Sequence, residues 1–263
     1  MKLFSRANGE DNSADATALV ILPGLLGSSA NWQSIAKRLG QRRAVYTLDL
    51  RNHGQSPWSD SMDYATMAED VAEFIDALDV KNISLLGHSM GGKVAMRLAF
   101  DSPSLIDSLI IADIAPVSYE HDFDELIDAM LKLDLPSISR RSDADATLQS
   151  SISSPHIRAF LLHNLNFDSS SKVYTWRPNL EVLLKAMPEI TQFSLSDADT
   201  FSKPALFIHG ANSNYVTAAG EKIILQHFSD ATFEKLENAG HWLHAEQPQA
   251  FIKSCEAFLS HDY

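Results

Sequence analysis

The sequence predicts a mainly parallel, doubly wound α/β sheet interrupted by a helical insertion, and three observations point there. Continuous apolar runs of strand length recur, as at Ala18-Leu19-Val20-Ile21-Leu22 and Ser108-Leu109-Ile110-Ile111-Ala112; such runs mark strands covered on both faces. Segments with apolar residues at helical spacing separate them, so successive strands need right-handed crossovers and lie parallel. From about Val117 to Thr200 the strand alternation lapses. The expected division is therefore a core of residues 1–116 and 201–263 with a helical cap at 117–200. A chain of 263 residues that is 45% hydrophobic can bury a core of that size.

Taken in order, the run at 18–22 ends in the loop Pro23-Gly24-Leu25-Leu26-Gly27-Ser28, and Trp32, Ile35, Ala36 and Leu39 then recur as one helical face. A second strand spans Ala44 to Asp49, followed by the turn-rich Arg51-Asn52-His53-Gly54-Gln55-Ser56-Pro57. Tyr64 to Leu78 places Met67, Val71, Phe74 and Leu78 on one face and Glu69, Asp70, Glu73 and Asp76 on the other, a covering helix. Ile83 to Leu86 is a buried strand, and Val94, Ala95, Leu98 and Ala99 follow at helical spacing. Within the insertion, helices are expected at 123–131, 157–165 and 180–187, with a polar, serine-rich connection over 137–154. The core pattern returns at Pro204 to Gly210, with a helix over 218–228, a short strand over 232–236, a loop at Gly240-His241-Trp242 and a closing helix over 246–259.

Composition removes several classes of function. The formal net charge of −13 argues against a nucleic-acid partner, because neutralising phosphates requires a basic surface. A single cysteine, Cys255, permits neither an internal disulfide nor a multi-cysteine metal site, and its helical context reads as a packed thiol. No metal site is assigned. No stretch has the length and apolarity of a signal segment or a membrane span, so the expected location is the cytoplasm.

The chemistry is concentrated at Gly87-His88-Ser89-Met90-Gly91, a G-x-S-x-G core between a strand and a helix. A sharp turn of this kind exposes the serine hydroxyl, and small residues two before and two after it keep neighbouring backbones apart. Ser89 is the candidate nucleophile. The backbone N–H groups of Met90, at the helix start, and Leu25, in the early loop, are the candidate oxyanion donors. A serine needs a general base, and His241 occupies the late loop expected for one. His88, His209 and His244 read as structural imidazoles, while His121, His156, His163, His227 and His261 have no comparable placement. The orienting acid stays open: the loop after the strand at 205–208, Gly210-Ala211-Asn212-Ser213-Asn214-Tyr215-Val216, contains no carboxylate. Asp113, at the end of the strand that follows the elbow helix, is favoured over a neutral residue of the 212–214 segment.

These residues resemble the α/β-hydrolase superfamily, and more narrowly the YbfF-type esterases. The resemblance rests on the 23–28 loop, Asp49-Leu50-Arg51-Asn52-His53-Gly54-Gln55-Ser56-Pro57, Gly87-His88-Ser89-Met90-Gly91-Gly92-Lys93, Asp113-Ile114-Ala115-Pro116-Val117, Asn212-Ser213-Asn214-Tyr215-Val216 and Gly240-His241-Trp242-Leu243-His244-Ala245-Glu246. It implies the α/β-hydrolase fold, hydrolysis of small to medium carboxylic esters or acyl-CoA thioesters, no cofactor, and a Ser89–His241–Asp113 triad. One departure is Pro23, which stands where the superfamily usually has histidine. Within the cap, Phe123, Met130, Phe160, Leu161 and Phe167 are candidate lining for an acyl pocket, although helix packing explains most of them equally well. Arg140, Arg141, Lys172 and Arg177 could meet coenzyme A phosphates or serve as solvated surface charges. A C–C bond hydrolase or lyase, or a non-catalytic ligand-binding relative, are the alternatives on the same fold.

Overall fold

The computed structural model describes residues 1–9, 17–78, 80–120 and 123–260; His121 and His261 lie outside them. The first half contains β1 (Phe4–Asn8), β2 (Thr17–Leu22), α1 (Gln33–Leu39), β3 (Ala44–Asp49), α2 (Tyr64–Asp76), β4 (Asn82–His88), α3 (Met90–Asp101) and β5 (Ser108–Ala112). The insertion carries α4 (Phe123–Leu131), α5 (Arg141–Leu148), α6 (Pro155–Leu162), β6 (Leu165–Asp168), β7 (Val173–Trp176) and α7 (Leu180–Thr191). The chain returns to the sheet with β8 (Ala205–Gly210), α8 (Ala218–His227), β9 (Ala231–Leu236), α9 (Leu243–Glu246) and α10 (Pro248–Leu259).

Among the described residues, seven strands form one sheet in the order β1-β3-β2-β4-β5-β8-β9. Every pairing is parallel except that of β1 with β3. Successive side chains of each inner strand enter opposite cores. Leu19, Ile21, Leu86, Ile110 and Ile208 meet α1 and α10, whereas Val20, Leu22, Leu85, Leu109 and Ile111 meet α2 and α3.

Register fixes where the strand ends fall. Leu22 is paired with Gly87, His88 with Ala112, and Ala112 with Ile208. The loops after β2, β4, β5 and β8 therefore leave the sheet at one level, its carboxyl edge. The ladder also runs one step beyond the strands, since the N–H of Ser89 donates to Ala112 O at 3.0 Å and that of Asp113 to Ile208 O at 2.8 Å.

Four elements depart from expectation. The strand β1 is an edge strand whose short, half-buried, polar sequence lacks an apolar run. The 137–154 stretch is not all connection: α5 starts where the Asp143 carboxylate accepts the Arg140 N–H, and Ala144 and Leu148, one turn apart, are buried. The helix expected over 157–165 ends at Leu162, and Leu165 instead opens a two-stranded hairpin with β7. The closing helix is divided at Gln247 because Pro248, lacking an N–H, begins α10 at a position that needs none.

Candidate active site

The elbow is built by two glycines. A Cβ on Gly87 would stand 2.3 Å from Gly91 O, and one on Gly91 would stand 2.3 Å from Leu22 O, so neither position has room for a side chain. With the helix packed this closely on the sheet, Ser89 takes φ 53° and ψ −121°, a strained backbone that costs on the order of 1–3 kcal/mol. Its hydroxyl is lifted out of the β4–α3 turn.

His241 arrives on the loop after β9 and bridges the ends of β4 and β5. Its Nε2 lies 2.9 Å from Ser89 Oγ and its Nδ1 2.8 Å from Asp113 Oδ2. A carboxylate only accepts, so Nδ1 carries the proton and Nε2 is left to accept from the serine. Asp113 is fully buried and holds φ 53°. Two further donors face it, the Gly210 N–H to Oδ1 at 3.0 Å and the Ser213 hydroxyl to Oδ2 at 2.5 Å. Thus the loop that lacks a carboxylate contributes to the site through the acid on the neighbouring strand. The Tyr215 ring stacks on the imidazole of His241 at 3.9 Å between centroids.

His88 supports this arrangement from below. Its Nε2–H donates to His241 O at 2.8 Å, and burial, assisted by the nearby His241, pushes its pKa down to about 3. His244 is likewise held well below the usual imidazole value by burial and stacks on Trp32 at 4.2 Å. Both rings are neutral at pH 7, so they brace the site without competing for its proton.

Met90 is the first residue of α3, where backbone N–H groups have no intrahelical acceptor. Leu25 sits in a turn closed by the Gly27 N–H on Gly24 O at 2.9 Å. The neighbouring Leu26 carbonyl accepts from the buried Asn164 side chain of the insertion at 2.8 Å. Leu25 and Ser89 border two cavities. A large one, about 610 Å³, includes Trp32, Phe123, Phe160, His241 and Trp242 in its walls. A small one, about 20 Å³, adjoins Ser89 with Met90 and Lys93 and shares Phe123 with the large one.

Of the candidate pocket residues, Phe123 and Phe160 face this space. Met130 and Leu161 do not: both are fully buried within the packing of the insertion. Phe167 is turned away, 49% exposed on the β6–β7 hairpin and packed against Tyr174. Three of the candidate cations bind locally. The Arg141 guanidinium donates to Leu162 O and Leu165 O, Arg177 to Asn166 Oδ1, and Arg140 pairs with Asp143. Lys172 takes φ 58° in the hairpin turn. Cys255 is completely buried.

Sequence reasoning did not assign Tyr215 or Asn164 to the site, and it considered Ser213 only within the 212–214 segment as a neutral alternative to Asp113, not as a donor to Asp113. Ser213 and Tyr215 lie in a segment already distinctive as Asn-Ser-x-Tyr-Val, whereas nothing around Asn164 marks it. Among the described residues, no helix is long and apolar enough to cross a membrane.

A family model described as alpha/beta hydrolase fold matches residues 17–248. The chain is 38% identical over 257 residues to the sn-1-specific diacylglycerol lipase ABHD11 of Xenopus tropicalis, covering 95% of this chain and 80% of that protein. It is 33% identical over 261 residues to the esterase YbfF of Escherichia coli, covering 99% and 100% respectively. A solved structure, a marine microorganism esterase, superposes with a TM-score of 0.93 at 36% identity, over 98% of this chain and 99% of that one.

Proposed function

The chain belongs to the α/β-hydrolase family, and we propose that it is a serine esterase that cleaves small to medium acyl esters, or acyl-CoA thioesters, through an acyl-enzyme. The observation that carries this reading is the unbroken hydrogen-bond chain from Ser89 through His241 to Asp113 beneath a large apolar cavity. The helical insertion at 117–200 acts as the cap over that cavity.

In the reaction, His241 Nε2 takes the Ser89 proton as Oγ attacks the acyl carbonyl. Asp113 keeps the imidazole in the required tautomer and stabilises the imidazolium. The developing oxyanion is met by the N–H groups of Leu25 and Met90. Collapse of the tetrahedral species passes the proton from Nε2 to the departing oxygen or sulfur. A water deprotonated by the same nitrogen then releases the acid.

The test compares wild type with Ser89→Ala for p-nitrophenyl ester hydrolysis, acyl-CoA hydrolysis and labelling by a fluorophosphonate probe. We expect ester turnover to fall by about 10⁴- to 10⁶-fold and labelling to vanish, with an unchanged far-UV circular dichroism spectrum. Retention of turnover in Ser89→Ala would sink the proposal. The ratio of ester to thioester turnover in wild type identifies the leaving group.

A further inference from the structure

We infer that the two cavities divide the substrate at Ser89: the acyl group enters the small pocket and the leaving group fills the large cavity, which makes short-chain acyl esters of bulky alcohols or thiols the substrate class. This rests on the esterase reading above.

Three bonds leave the attacked carbon, and each has a required direction. The leaving atom must receive its proton from His241 Nε2, and His241 borders the large cavity but not the small one. The carbonyl oxygen must lie between the N–H groups of Leu25 and Met90. With leaving group and oxyanion placed, the remaining substituent, the acyl chain, points past Ser89 toward Ile114, Met187 and Ile190.

That side is small. Its volume, about 20 Å³, holds roughly one water-sized group, the scale of the terminal methyl or ethyl of a short acyl chain. Its walls are tied together rather than free to part. The Tyr64 hydroxyl donates to Ile190 O at 2.6 Å, and Lys93 Nζ donates to Thr191 O at 3.0 Å, so α2 and α3 both clasp the end of α7. The large cavity has about thirtyfold the volume and presents Trp32, Ile157, Phe160 and Trp242 to a leaving group.

The experiment measures kcat/KM on p-nitrophenyl esters from acetate to decanoate, and on a set of acetates of increasingly bulky alcohols. Wild type, Met187→Ala, Ile190→Ala and Phe160→Ala are compared. For wild type we expect kcat/KM to fall about tenfold or more between butyrate and octanoate, while bulky acetates remain good substrates. Met187→Ala or Ile190→Ala should raise the hexanoate-to-acetate ratio about tenfold, and Phe160→Ala should change the alcohol series without moving the chain-length optimum. A wild-type enzyme that turns over octanoate as well as acetate overturns the inference, even if no variant folds. So does a chain-length shift in Phe160→Ala that is missing from the α7 variants. Fluorophosphonate labelling of Ser89 separates the failures: labelling with a flat chain-length profile removes only this division, whereas no labelling and no turnover remove the esterase reading as well.

Discussion

Asp113 shows how much of the proposed chemistry is set by single side chains. Its carboxylate is fully buried and receives the Gly210 N–H, the Ser213 hydroxyl and the imidazole of His241, so its position is over-determined. Ser213 shares Oδ2 with His241, and a small substitution removes this donor while leaving the Gly210 N–H and the imidazole in place, although the hydroxyl also accepts the Tyr215 N–H at 3.3 Å. A hydrogen bond to a charged group contributes about 1.5–3 kcal/mol. Ser213→Ala is therefore expected to lower kcat for p-nitrophenyl acetate by about tenfold to a hundredfold, with KM nearly unchanged. Asp113→Asn should cost about 10⁴-fold, because the amide favours the wrong imidazole tautomer. Steady-state kinetics on the two variants checks the order. Equal losses would mean that Ser213, and not the carboxylate, governs the imidazole. At this scale the sequence was informative where chemistry demands one residue type in one place. Ser89 and His241 could be read from their loops, but for Ser213 the sequence offered only membership of a neutral 212–214 segment, because a serine within a polar loop carries no mark of the carboxylate it will face.

Between elements, the stretch between β5 and β8 reaches back to the early loop. Asn164, at the junction of α6 and β6, is buried and reaches 138 residues back in sequence to hold Leu26 O. Leu26 has φ 59° and follows the proposed oxyanion donor Leu25, so this bond anchors the loop that carries the Leu25 N–H, two peptide units away. Asn164→Leu keeps the side-chain volume and deletes the donor. We expect kcat to drop about tenfold with a smaller change in KM, because the loss falls on an interaction made in the transition state. A rise in KM with kcat intact would instead make Asn164 part of the substrate pocket. The elements differ in how openly the sequence displays them. Inner strands such as Leu19-Val20-Ile21-Leu22 are apolar on both faces and stand out from their surroundings, while Leu165-Asn166-Phe167-Asp168 is a four-residue strand buried only at its start. Its hairpin partner and α5 are short and held by local polar contacts, so no long periodic pattern announces them.

For the molecule as a whole, the junction between core and insertion is gathered around one buried cation. Lys93 is 2% exposed, and its ammonium meets Thr191 O at 3.0 Å and Gln192 O at 3.5 Å. The rings of Tyr64, Tyr119 and Phe193 surround it at 5.0–5.8 Å. Tyr119 and Phe193 lie toward the two ends of the stretch between β5 and β8, so a residue of the elbow helix contacts both ends of it. No described ion pair gives it a carboxylate, and burial pushes its pKa from the ordinary 10.5 down to about 7. The sign of the consequence follows from proton uptake. Below about pH 7 Lys93 is charged in both the folded and unfolded chains, and its burial cost is carried in full. Between about pH 7 and 10.5 the unfolded chain holds a proton that the folded one has released, so this group's contribution to stability rises with pH. Lys93→Met keeps the length of the side chain and removes the titration. Scanning calorimetry of both proteins from pH 6 to pH 10 should then give a Tm difference, variant minus parent, that is most favourable to the variant near pH 6 to 7. It should decline steadily toward pH 10. The lost carbonyl contacts shift that whole curve without giving it a slope, so a difference that does not vary with pH would show that the ammonium is accommodated at no cost and that its neighbours, not its charge, hold the junction.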